Sequence, residues 1–167
     1  MSNRKALVTY LCILAVLLAR PAFAGGHVRF DNKRIAEVYR YAMNRSPSFQ
    51  ALIETLNLTD RVVYVEEGHC PHPMERGCLS LMPTPNAKNI LVRIDPRQPI
   101  RLVVAQLAHE LYHAAEVSKE PAVVDTASLR ELYGRIGDRG CLSESDDCWE
   151  TRAACAFEAL VARELVQ

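Results

Sequence analysis

The segment from Gln98 to about Val117 constrains this chain more than any other. Ile100, Val103, Val104, Leu107, Leu111 and Ala115 recur at helical spacing, and no proline interrupts them before Pro121. A helix this apolar belongs in the interior, yet it carries His109, Glu110 and His113 in the run His109-Glu110-Leu111-Tyr112-His113. Unpartnered polar groups are costly inside a protein, so the fold has to bring partners to these three side chains. Histidines at i and i+4 lie on one helix face about one turn apart, where both imidazoles can approach a single metal ion. Glu110 projects beside them, within reach of a water at that metal. The bland alternative is a histidine pair on a polar surface or hydrogen-bonded at a core edge. The apolar flanks, Val103 to Ala108 on one side and Ala114-Ala115 on the other, weigh against it. Zinc, one ion per chain, is the expected partner.

The remaining segments supply a frame for that helix. Asp31 is expected to cap a helix running to about Arg45, with Ile35, Val38, Tyr39 and Ala42 on one side. Ser46-Pro47 reads as a cap followed by proline in the first turn, opening a second helix through Phe49, Leu52, Ile53 and Leu56. Residues 25–30 read as a loose start. Arg61–Glu66 and Asn89–Asp95 are β-rich strands, and Cys78–Met82 suggests a short third. Asp125–Ile136 should form a helix burying Leu129, Leu132 and Tyr133, and a last helix should run from about Cys148 to Leu165. No repeat or linker divides these elements. The expected fold class is α+β, a mostly helical single domain over residues 25–167 with a small β-sheet packed beside the histidine-bearing helix.

Residues 1–24 read as a secretory signal peptide. Arg4-Lys5 precede the apolar run Leu7–Ala19, and Ala22-Phe23-Ala24 makes a small-x-small cleavage pattern. The run is shorter than the ~20 apolar residues that span a bilayer. The whole chain balances 20 basic against 20 acidic residues, and losing Arg4, Lys5 and Arg20 leaves a net charge of about −3. That balance argues against nucleic acid as a partner and against a membrane after cleavage. The expected localisation is secreted or periplasmic, where cysteines oxidise. Their spacing suggests Cys70–Cys78 and Cys141–Cys148 bridges with Cys155 left over. A structural zinc site from His69, Cys70, His72 and Cys78 competes with the first bridge but lacks a second paired-cysteine motif.

A hydrolytic zinc site takes three protein ligands and keeps one position open. No histidine follows His113, so the third ligand should be a downstream carboxylate. Glu116 lies at i+7 from His109, about 10 Å along a straight helix, which favours a supporting role. Glu120 and Asp125 flank the Pro121 break without any supporting pattern. Glu158 shares the last helix with Arg163 and Glu164, which suggest a solvated face. Glu150 is the favoured ligand, expected in the first turn of that helix, with Ala153 and Ala154 allowing close approach.

The His-Glu-x-x-His motif with a later glutamate resembles the zincin metallopeptidases and, among them, the gluzincins. The resemblance implies His109 and His113 as zinc ligands, Glu150 as the third, and Glu110 as the general base. It further implies an exported peptidase acting on peptide or protein substrates through a zinc-activated water. In that family an extended substrate pairs along a strand preceding the motif helix, a place occupied here by Asn89–Asp95. A donor for the developing oxyanion is expected, and Tyr133, His69, His72 and Arg152 are the available types. The alternative from another class is a non-catalytic zinc-containing protein of the cell envelope, its fourth position blocked by Cys155 or a carboxylate.

Overall fold

Alternation in two strands decides which way the layers stack. In β2 (Val62–Glu67) and β4 (Asn89–Ile94), Val63, Val65, Ile90, Val92 and Ile94 are fully buried, while Tyr64, Leu91 and Arg93 on the opposite face are half-exposed. One face of the sheet is therefore apolar and must be covered, and the other faces solvent. The computed structural model describes residues 26–72, 75–82, 88–138 and 150–166. Residues 1–24, expected to be a signal peptide, and the expected Cys141–Cys148 bridge lie outside the described residues.

Two further strands complete the sheet: β1 (Val28–Phe30) and β3 (Gly77–Leu81), in the order β1-β2-β4-β3. β1 runs parallel to β2, β2 parallel to β4, and β3 antiparallel to β4. Residues 28–30, expected to be loose, thus form a strand held by long-range pairing to Val63–Val65. Asn89–Asp95 also departs from expectation, because β4 lies inside the sheet and β3 is the edge. Asp95 N–H donates to Arg76 O at 2.8 Å and Met82 N–H to Asn89 O at 2.9 Å. In an antiparallel ladder this phase turns the backbone groups of Gly77, Leu79 and Leu81 away from β4, toward the edge that pairs with no other strand among the described residues.

Among the described residues five helices accompany the sheet. They are α1 (Lys33–Met43), α2 (Pro47–Asn57), α3 (Ile100–Ser118), α4 (Thr126–Ile136) and α5 (Arg152–Glu164). The domain is α+β, as expected. Side-chain caps set most of the starts. Asn32, rather than Asp31, accepts from Ile35 N–H. Ser46 caps α2 ahead of Pro47, and Asp125 forms a capping box with Ser128 at α4. α3 runs through the core with Leu107 and Leu111 essentially inaccessible, and Leu111→Ala there would cost about 2–5 kcal/mol. Leu129, expected inside, is only half-buried, and Ile100 is exposed at the start of α3. Among the described residues no helix is long and apolar enough to cross a membrane.

Three fastenings locate the elements that matter for the site. The buried Arg61 guanidinium donates to the carbonyls of Glu120 (3.1 Å) and Val123 (2.7 Å), fixing the turn between α3 and α4. Glu164 at the end of α5 accepts from Ser48 Oγ at 2.6 Å and from Ser46 Oγ, clamping α5 to the start of α2. The Cys70–Cys78 disulfide, with the pairing expected from spacing, ties β3 to the loop leaving β2. Closing so short a loop contributes roughly 2–3 kcal/mol by the chain-entropy estimate.

Candidate metal centre

α3 sets two imidazoles on one face, and the rest of the fold closes around them. His109 Nε2 and His113 Nε2 lie 3.1 Å apart. Glu150 Oε1 stands 3.2 Å from the first and 3.5 Å from the second. These three are the group among the described residues whose ligand atoms could hold one metal ion. Ligands bound at about 2.0–2.1 Å and tetrahedral angles sit about 3.3 Å from one another, close to the spacing found.

Glu150 reaches this position differently from the sequence expectation. It lies before α5, not in its first turn. Thr151 is the cap, accepting from Ala154 N–H at 3.1 Å. The Glu150 backbone forms an antiparallel bridge with Asp138, whose N–H donates to Glu150 O at 2.8 Å. Gly137 permits that approach: a Cβ there would meet Tyr133 O at 2.5 Å and Glu150 O at 3.2 Å. Thr151 N–H then donates to Glu150 Oε1 at 2.9 Å, orienting the carboxylate. Ala154 is buried as expected, whereas Ala153 faces solvent.

A second ring of carboxylates holds the imidazoles. Glu158 Oε2 lies 3.0 Å from His109 Nδ1, and Glu116 Oε2 lies 2.8 Å from His113 Nδ1. Glu116 Oε1 in turn accepts from Thr151 Oγ1 at 2.9 Å. When each Nδ1–H donates to its carboxylate, both Nε2 lone pairs point at the common centre. Glu116 has the supporting role that its spacing implied. Glu158 is only half-buried, yet its carboxylate turns toward His109: the Tyr112 and Phe157 rings pack 5.0 Å apart, and that packing of α5 on α3 brings it there. Glu120 and Asp125 stay away, the first paired with Arg135 and the second capping α4.

The electrostatics follow from this crowding. Burial opposes charge on His109, but the bonds to Glu150 and Glu158 outweigh it and raise its pKa to about 10. His113 is raised in the same way, burial being outweighed by Glu116 and Glu150. Burial would lift Glu150, yet its bonds to both imidazoles hold it well below the usual carboxylate range. The carboxylates thus favour positive charge at the centre, which a bound dication would supply. Glu110 is buried beside it, pushed up by desolvation and opposed by the two histidines and by Gln106, whose Nε2 donates to Oε1 at 3.0 Å. Cys155 is free and exposed, and burial together with Glu150 and Glu158 pushes its thiol up to about 11.

The centre opens into a cleft of about 500 Å³. β3 forms one wall, α3 the floor, and Thr126, Leu129, Arg130 and Tyr133 of α4 the other wall. Of the four candidate oxyanion donors, Tyr133 alone lines this cleft. His69 sits 3.5 Å from Arg97, and Arg152 pairs with Asp138 at the surface. The Tyr133 ring meets His113 edge-on at 5.4 Å, and its buried hydroxyl has no hydrogen-bond partner among the described residues. Comparison of the chain with protein-family models, with curated proteins and with solved structures returned no match.

Proposed function

We propose that this chain is an exported zinc-dependent peptidase of the gluzincin type. The observation that carries the reading is the spacing of three ligand atoms at tetrahedral separations, with Glu110 beside them and a cleft in front. Two imidazole nitrogens and one carboxylate oxygen make a donor set that suits zinc and leaves a fourth position for reactants. His109, His113 and Glu150 would hold the ion. When bound it supplies Lewis acidity, polarising a carbonyl oxygen and making water acidic enough to attack near neutral pH.

The protein's own groups supply the remaining chemistry. Glu110 takes a proton from the attacking water and returns it to the leaving amine. The Tyr133 hydroxyl, desolvated and unpartnered, donates to the oxyanion that develops on the scissile carbonyl. The free edge of β3 offers the backbone groups of Gly77, Leu79 and Leu81 to an extended peptide, so that substrate enters as an added antiparallel strand. The edge strand that β4 was expected to provide is thus supplied by β3. The Cys70–Cys78 bridge supports an oxidising compartment outside the cytoplasm.

The test is hydrolysis of a mixed peptide library by zinc-loaded protein. Glu110→Gln should retain one zinc per chain and the fold while cleavage falls at least 10²-fold, in line with removal of a general base. Wild-type protein that binds zinc and cuts no peptide, or a variant that cuts as well as wild type, contradicts the reading.

A further inference from the structure

Glu110 is held from two sides, by a side chain of its own helix that is no metal ligand and by a residue of the edge strand β3. One turn before it on α3, half-buried Gln106 donates Nε2–H to Glu110 Oε1 at 3.0 Å. Across the cleft floor, Gly77 of β3 lies directly against the same pair. A Cβ at Gly77 would meet Glu110 Cγ and Oε1 at 2.8 Å and Gln106 Cγ at 2.9 Å, closer than side chains pack. Gly77 needs no unusual backbone for this, so what its missing side chain provides is space. Nor can the strand recede easily. Asp95 N–H bonds Arg76 O at 2.8 Å, the Arg76 guanidinium reaches Asp95 at 3.0 Å, and Cys78 is tied to Cys70.

We infer that Gln106 and Gly77 are positioning residues for Glu110, fixing which carboxylate oxygen meets the reacting water. Gln106 occupies Oε1, and Gly77 leaves just enough room for the carboxylate to lie along β3. Among the described hydrogen bonds Oε2 has no protein donor, and it is the oxygen left to accept from water. This assignment rests on the peptidase reading above. It goes beyond it, because the motif alone demands neither a glutamine one turn before the glutamate nor a glycine opposite. The arrangement also links the two halves of the site: the strand along which a peptide would pair is the strand that presses Glu110 into place.

The experiment uses zinc-loaded protein and a quenched fluorogenic peptide selected from the library on wild type. Gln106→Met keeps the side chain's length and removes the donor. It should leave zinc content and melting temperature unchanged, lower kcat about 10–100-fold, and leave KM within twofold, the range typical of a lost orienting partner. Gly77→Ala should lower kcat at least as much. In a Glu110→Gln background neither substitution should reduce the residual rate further, because both act through that carboxylate. A general packing defect would lower the residual rate as well. Unchanged kcat in Gln106→Met overturns the inference, as does loss of zinc or a further drop in the Glu110→Gln background. These outcomes leave the peptidase reading standing if Glu110→Gln is inactive. That reading fails separately, when wild type itself cuts nothing or Glu110→Gln cuts normally.

Discussion

Replacing Tyr133 with Phe should make the protein more stable and less active. The Tyr133 side chain is 4% exposed, and its hydroxyl finds no partner among the described residues. Desolvation and the nearby Glu116, Glu110 and Glu150 carboxylates push its pKa up, so it remains a neutral donor across the working pH range. A buried hydroxyl left unpaired costs about 1–3 kcal/mol, and Phe removes that cost while keeping the edge-on ring contact with His113 at 5.4 Å. For a domain of this size each kcal/mol moves the melting temperature by about 2–4 °C. Tyr133→Phe should therefore melt about 2–12 °C higher when both proteins are compared at the same zinc concentration, so that binding contributes equally. Its kcat should fall about 10²–10³-fold, the usual effect of deleting one oxyanion donor. Differential scanning calorimetry and steady-state kinetics on one preparation read both signs. A lower melting temperature with unchanged kcat would show that the hydroxyl is a structural group with a partner, and would refute the reasoning.

Two further outcomes are expected. Glu158→Gln and Glu116→Gln should each weaken zinc binding about 10–100-fold by freeing one imidazole to turn, whereas Glu150→Ala should weaken it far more; competition with a chelator of known affinity ranks the three. The metal-free protein should lose stability between pH 7 and 10. His109 is raised from 6.5 to about 10 in that state, so its contribution is complete below about pH 6.5 and disappears as pH rises through 10. Zinc needs neutral imidazoles, so the melting-temperature gain from one equivalent of zinc should grow from pH 6 to pH 9. A constant gain across that range would show that the histidines do not exchange protons for metal.

What the sequence made legible was whatever local chemistry decides. The α3 helix, the Ser46-Pro47 start of α2 and the helix expected over Asp125–Ile136 are set within a few residues, and each stands close to where periodicity and the Ser46-Pro47 signal put it. The His109–His113 pair is legible for the same reason, since i,i+4 spacing makes it a single face. Three residues of β1 are too few to show alternation, and only parallel pairing with β2 makes them a strand. β4 looked like an edge because nothing in its sequence announces the antiparallel β3 laid outside it. The charged neighbours Arg163 and Glu164 conceal that the half-exposed Glu158 bonds His109. Its true surroundings come from the packing of Phe157 on Tyr112 and from Glu164 being clamped by Ser46 and Ser48. The Glu150 carboxylate does return to α3, but from a position before the last helix rather than in its first turn. Its placement before the helix depends on Gly137, a contact that sequence distance conceals.

The most direct test of the central claim is an X-ray absorption spectrum at the zinc edge, recorded on protein loaded with one equivalent of zinc. Coordination by His109, His113 and Glu150 predicts two imidazole nitrogens and one carboxylate oxygen at about 2.0–2.2 Å, plus one further light atom and no sulfur. The carboxylate contribution should vanish in Glu150→Ala. A sulfur scatterer at about 2.3 Å, placing Cys155 at the metal, or a wild-type spectrum unchanged by Glu150→Ala, would contradict the account.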